Sequence, residues 1–199
     1  MINKELQKRI LSSIILIPVS FFFIIQGSLT FIFFLGLIFL LTSFEWFKMT
    51  KNKDLIRIFG LFFLFFSFFS TVYLRQYFGL NFFLFLIIVC IFTDTGGYIF
   101  GKILKGPKLT KVSPKKTYSG VLGSFLISLI FGLIYIKYLG KKSRILLETD
   151  PIFIILLILF ISFVSQLGDL IISYFKRKAK LKDTGKILPG HGGFLDRID

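Results

Sequence analysis

The chain is poor in the side chains that soluble enzymes most often use for chemistry. Its 199 residues include one cysteine, Cys90, and one histidine, His191. A single thiol inside an apolar run allows no intrachain disulfide and no cysteine-rich metal cluster. A single imidazole rules out ordinary zinc sites and any mechanism built on a pair of histidines. Acidic residues are scarce as well, ten against 25 Lys and Arg, which leaves a net charge of +15. Polar sequence is too thin to clothe a soluble domain of this length: 55% of the chain is hydrophobic, 29 residues are Phe, and the mean hydropathy is +0.82.

Long apolar runs stand where polar surface would be. A helix needs roughly 20 such residues to cross a bilayer. Six spans can be drawn, at about 10–26, 29–44, 56–74, 80–100, 120–139 and 151–175, the second of them short. Backbone groups in lipid must bond within their own segment, so continuous runs predict helices. A transmembrane barrel would instead show alternating short segments. The expected fold class is therefore an all-α polytopic membrane protein with about six transmembrane helices. Lys4, Lys8 and Arg9 before the first run resemble the start of a signal peptide, but no small-residue cleavage site follows, so this run is read as a retained first helix.

The excess of positive charge has a topological cause. With both termini inside, 20 of the 25 Lys and Arg fall in inner segments and five in outer ones. This distribution follows the positive-inside rule and predicts a multi-pass protein of the cell membrane with both termini cytoplasmic. A nucleic-acid partner is not needed to explain the charge, and none is expected.

The halves of the chain differ. Residues 1–79 read as scaffold, nearly pure Phe, Leu and Ile, with Glu45 and Trp46 where the second span meets the cytoplasm. A tryptophan anchor and a hydrated interfacial carboxylate are the expectation there. Residues 80–199 read as a catalytic core, with polar residues entering the spans and inner loops rich in Gly, Pro and Lys. The run 93–98 interrupts the fourth span with Asp94, whose two readings, a packing partner of a nearby lysine or a direct participant at a site, stay open. Gly97 and Gly101 share a helical face with Thr93 and suit close packing. Gly96, Gly101 and Lys102 match most of a P-loop, but Ile103 stands where a magnesium-binding hydroxyl is required and no strand precedes it.

In the sixth span Ser162, Ser165, Asp169 and Ser173 recur every three or four residues, which puts four polar side chains on one helical face, with Gln166 beside them. Inside a bilayer such a stripe must face water, protein or substrate. It leads into Lys176, Arg177 and Lys178, a basic cluster that could also bind anionic lipid without any chemistry. Then comes a Gly-rich turn around His191, followed by Asp196 and Asp199, one helical turn apart. Convergent carboxylates among many cations suit a magnesium ion that holds phosphate oxygens. A second loop, Ser113, Pro114, Lys115, Lys116 and Thr117, combines ammonium groups with hydroxyls, the chemistry that grips phosphate.

Residues 173–199, with Ser-Tyr-Phe-Lys-Arg, Lys-Asp-Thr-Gly and Pro-Gly-His-Gly-Gly-Phe-Leu-Asp-Arg-Ile-Asp in order, resemble the signature of the phosphatidate cytidylyltransferases (CDP-diacylglycerol synthases). Ser113 to Thr117 with Gly120 is similar to a second block of that family, and Gly168-Asp169 stands where the family carries a metal-binding Asp. The resemblance implies a nucleotidyltransferase of phospholipid biosynthesis in the bilayer. Its substrates would be CTP and phosphatidate, and its products CDP-diacylglycerol and pyrophosphate. It also implies magnesium held by Asp169, Asp196 and Asp199, with a second, monovalent cation left open. Lys115, Lys116, Lys176, Arg177 and Arg197 would neutralise phosphates. Ser113, Thr117 and Ser173 would donate hydrogen bonds, and Asp183 and His191 would shape the loop or touch the nucleotide. Members of the family usually continue past the final Asp into another helix, so the expectation is a chain shortened at its C-terminus, with two readings left open: a fragment, or a compact homologue with impaired or partner-dependent activity; a homodimer is left open too. Two other readings remain: a related CTP-dependent enzyme with another lipid phosphate or lipid alcohol as acceptor, and a non-catalytic membrane protein that binds anionic lipid.

Overall fold

The computed structural model describes residues 4–51, 53–110, 112–114, 116–140, 143–185, 187–190 and 192–198. Among them there are eight helices and no strand: α1 Lys4–Gln26, α2 Ser28–Met49, α3 Asp54–Tyr77, α4 Gly79–Ile103, α5 Tyr118–Tyr138, α6 Arg144–Glu148, α7 Pro151–Lys178 and α8 Leu195–Ile198. Six of these are long and apolar enough to cross a membrane. The chain forms two compact units, residues 1–77 with 175–199, and residues 78–174.

In the first unit α1, α2 and α3 follow one another through short turns. Phe23 of α1 stacks on Phe34 of α2 at 4.6 Å, and Phe39 meets the edges of Phe65 and Phe68 of α3. Trp46 lies buried on Gly60 of α3, where any β-carbon would sit 2.0 Å from the indole. Its Nε1 donates to the Arg57 carbonyl, and its ring meets the edge of Phe175. Arg75 donates to the carbonyls of Ile24 and Ile25 and so satisfies two acceptors that the end of α1 leaves without a helical partner. Much of the remaining Phe and Leu surface of α2 and α3 is exposed, as lipid-facing helices require.

The second unit is built on a close seam between α4 and α5. A β-carbon at Gly96 would lie 2.4 Å from the Gly123 carbonyl oxygen, and one at Gly120 would lie 2.9 Å from that of Gly97. With no side chains there, the backbones approach closely. Ser124 of α5 donates across the seam to the Thr93 carbonyl at 2.8 Å, and Phe92 stacks on Phe131 at 3.7 Å. The polar run 93–98 does not break α4. The hydroxyls of Thr93 and Thr95 donate back to Val89 and Ile91 within the same helix, so polar residues are carried without unwinding. Thr117 caps α5, its hydroxyl accepting from the Gly120 N–H at 3.1 Å. Pro151 opens α7, where its missing N–H costs nothing, and the Asp150 carboxylate accepts from the Ile152 N–H. The helix then runs unbroken through Asp169 and Ser173 to Lys178, longer than the predicted span by its basic last turn.

Candidate functional site

Among the described residues, each unit carries one lysine–carboxylate pair. In the second unit Lys116 Nζ lies 2.6 Å from Asp169 Oδ2 and also donates to the Gln166 carbonyl at 3.3 Å. Ser173, one turn along α7, donates to Asp169 Oδ1 at 3.2 Å. The polar stripe on α7 is therefore a partnered one. Gln166 donates to the Ser162 carbonyl, and Ser165 bonds with Cys90 of α4. Asp94 of α4 interacts through charge with both Asp169 and Lys116. The lysine's ion pair goes to Asp169, and Asp94 adds a second carboxylate to the same electrostatic neighbourhood. Lys116 and Asp169 keep 23% and 38% of their side chains exposed, so this pair is open.

The loop that presents Lys116 turns back on itself. Lys116 donates its backbone N–H to the Ser113 carbonyl, Leu109 donates to the Lys116 carbonyl, and Lys108 bridges Thr117. Ser113 uses its own N–H on the Thr110 hydroxyl. Ser113 and Thr117 thus hold the turn and the cap that aim Lys116. Ser119 adds a hydrogen bond to the Lys105 carbonyl.

In the first unit the pair is Lys176 with Asp196, 2.8 Å apart, with 12% and 6% of the side chains exposed. Asp196 Oδ1 takes the ammonium. Its Oδ2 accepts from the N–H groups of Thr184 (2.8 Å) and Gly193 (3.0 Å) and from the Thr184 hydroxyl (3.0 Å). Burial by itself would raise the Asp196 pKa; the bonds from Lys176, Gly193 and Thr184 outweigh it and hold the carboxyl below its ordinary value. Gly192 has φ +87°, a conformation that side chains disfavour, and a β-carbon there would come within 2.8 Å of Asp196 Oδ2 and 3.2 Å of Asp183 Cβ. Asp183 is thus placed beside the same turn. Arg177 donates to the Leu181 carbonyl, and both it and Arg197 are exposed. Arg9 and Ser12 of α1 donate to the carbonyls of Gly190 and Pro189, pinning the tip of the loop.

Glu45 departs from the sequence expectation. It is not a hydrated interfacial carboxylate but is 1% exposed. Its Oε2 accepts from the Thr184 hydroxyl and the Leu195 N–H, both at 2.9 Å, and its Oε1 accepts from the Phe194 N–H at 3.0 Å. These donors stand 139 to 150 residues away along the chain, so nothing near Glu45 in the sequence announces them. Thr184 was also missed; its only signal is its place beside Asp183 in the signature.

Of the predicted site residues, the second unit brings together Lys116, Asp169 and Ser173, and the first brings together Lys176, Asp196 and Asp183. Lys115, His191 and Asp199 lie outside the described residues. Among the described residues no three His, Cys, Asp or Glu side chains are gathered closely enough to hold a metal ion. The chemistry of the individual carboxylates still differs. Asp169 presents hard, partly exposed oxygens, Oδ2 against Lys116 and Oδ1 against Ser173, which fits a partly hydrated magnesium ion. Asp196 has Oδ2 fully occupied and keeps spare acceptor capacity only on Oδ1, where the Lys176 ammonium sits.

Residues 51–199 match the sequence profile of the Cytidylyltransferase family. The chain is 34% identical over 198 residues to a phosphatidate cytidylyltransferase of Rickettsia conorii, covering 96% of this chain and 84% of that protein. A protein of the same name from Rickettsia bellii is 33% identical over 204 residues, covering 99% and 86%. One from Staphylococcus haemolyticus is 42% identical over 122 residues, covering 61% of this chain and 45% of that protein, so the chain spans about half the length of its staphylococcal relatives. With a profile match over three quarters of its length and relatives alike almost from end to end, the chain belongs to the cytidylyltransferase family.

Proposed function

We propose that this chain is a phosphatidate cytidylyltransferase of the cell membrane, with both termini cytoplasmic. A phosphate oxygen of phosphatidate attacks the α-phosphorus of CTP. The bond from that phosphorus to the bridging oxygen breaks, and CDP-diacylglycerol and pyrophosphate result. The names of the relatives suggest the substrates. The observation that carries the reading is the open Lys116–Asp169–Ser173 cluster, because its cation can change partner when phosphate arrives.

Phosphoryl and nucleotidyl transfer depend on positioning and on neutralising charge. An ammonium that already sits 2.6 Å from a carboxylate is held in place before substrate binds. Transfer of Lys116 from Asp169 to a phosphate oxygen would free that carboxylate to receive a divalent cation. We propose Asp169 as a magnesium ligand on these grounds; the metal would supply charge neutralisation and orient phosphate oxygens. For Asp196 the proposal is narrower, a carboxylate whose Oδ1 alone can take a metal and whose Oδ2 is committed to the loop. Arg177 and Arg197, both exposed in the first unit, would take phosphate. Simple capture of anionic lipid would need only cations, whereas both lysines here are engaged by carboxylates.

The test is pyrophosphate release by the purified chain in detergent, with CTP, phosphatidate and magnesium present and then each withheld. Release that requires all three, with CDP-diacylglycerol as co-product, is expected. Release that ignores phosphatidate, or a well-folded sample that neither binds CTP nor turns it over at any magnesium concentration, would overturn the reading.

A further inference from the structure

We propose that Glu45 is a positioning residue for the reaction: it clamps Thr184, Phe194 and Leu195 to α2 and, through the Thr184 hydroxyl, fixes the Asp196 carboxylate. The inference rests on the function proposed above. Residue 45 lies outside the stretch that matches the family profile, which begins at residue 51, so the profile match says nothing about it.

Three observations carry it. First, a carboxylate that is 1% exposed near the end of α2 must be compensated by its surroundings, and among the described residues its three hydrogen bonds come from Thr184, Phe194 and Leu195. Second, the loop is shaped around it. A β-carbon at Gly193 would lie 2.3 Å from Glu45 Oε2, and one at Gly185 would lie 2.6 Å from Oε1. Two glycines, eight residues apart in sequence, thus leave room for one carboxylate. Third, the Thr184 hydroxyl stands 2.9 Å from Glu45 Oε2 and 3.0 Å from Asp196 Oδ2. It has a single proton to offer, so the two acidic side chains share it and the position of one constrains the other. The Phe194 and Leu195 amides that Glu45 accepts immediately precede Asp196. Both the backbone leading into Asp196 and the far side of its carboxylate are therefore referred to α2.

A clamp of this kind acts on rate through geometry. A displacement of about 1 Å at a reacting group can cost around a hundredfold. Glu45→Ala is expected to lower kcat by roughly that factor while leaving KM for CTP and the helix content unchanged. Hydrogen–deuterium exchange, which needs no turnover, should show the Phe194 and Leu195 amides losing their protection. Glu45→Gln, which keeps one acceptor oxygen, should restore part of both. Thr184→Val leaves Glu45 and its two backbone bonds in place, so it should lower kcat without exposing those amides, and it serves as the test if Glu45→Ala does not fold. Unchanged exchange in Glu45→Ala, full kcat in either variant, or a loss of activity that tracks only the loss of folded protein would overturn the proposal. Absence of turnover in the unsubstituted chain, with the two amides still losing protection in Glu45→Ala, would instead overturn the functional reading and leave only a structural clamp.

Discussion

The two lysine–carboxylate pairs share a chemistry and differ in everything that decides their use. Lys116 and Asp169 are partly exposed, and the carboxylate has one further partner, a serine on its own helix. Lys176 and Asp196 are nearly buried, and the carboxylate accepts three more bonds from a single loop. An exposed ion pair contributes about 0–1 kcal/mol, so breaking it for a substrate costs little. A buried pair has already lost its water, and removal of one partner strands the other charge. The open pair is suited to exchange partners during a reaction, and the closed pair to keep a loop in one shape.

The largest effect that would sharpen this contrast is on rate. Asp169→Asn should reduce turnover by about 10³-fold or more, the scale seen when a charge-handling group is taken from a phosphoryl-transfer site. Membrane insertion and thermal midpoint should hardly move. Normal turnover in this variant would break the assignment of Asp169. Asp196→Asn should also abolish turnover, but it should cost stability as well, about 3–5 kcal/mol, because Lys176 stays buried without its partner. Unfolding in denaturant measures that loss. The double change Lys176→Met with Asp196→Asn should recover much of the stability and none of the activity; recovery of both would reduce the closed pair to a structural one.

Salt gives a gentler comparison. Raising ionic strength from 0.1 to 1 M shortens the screening length from about 10 to about 3 Å. Coupling energies from double-mutant cycles should then fall for Lys116–Asp169 and stay nearly constant for Lys176–Asp196. Equal falls would mean that water reaches both pairs alike. The smallest effect is expected at Lys51, exposed in the turn after α2 and in neither pair. Lys51→Ala should leave turnover unaltered and stability within about 0.5 kcal/mol. A collapse of activity there would show that the chemistry extends over the turn between α2 and α3.

The spans were legible because lipid imposes a simple rule: apolar runs of sufficient length must be helices. Their ends were less so. Prediction stopped the second span at residue 44, whereas α2 continues to Met49 because Trp46 and Glu45 find partners inside the protein and the polar end of the helix need not be solvated. The α7 stripe was readable from its spacing, since residues three and four apart share a helical face. Its partner Lys116 was not, because 53 residues separate it from Asp169 and only tertiary packing joins them. Asp196 was singled out for its charge, and the lysine opposite it was named, but the amides that fill its second oxygen belong to backbone that any sequence would supply. Glu45 was misread for a related reason: a carboxylate at the edge of a span looks the same in sequence whether water or a loop receives it.

Trp46 is the chain's sole tryptophan, which turns a packing residue into an instrument. Excitation at the red edge of indole absorption will select one chromophore, despite seven tyrosines and 29 phenylalanines. It is buried, fastened at Nε1 to the Arg57 carbonyl, and set edge-on to Phe175, where α7 enters the first unit. Glu45 is its immediate neighbour. Loosening of this end of α2 will therefore change emission colour and anisotropy without an attached label, and stopped-flow fluorescence can time that change against the arrival of CTP or lipid.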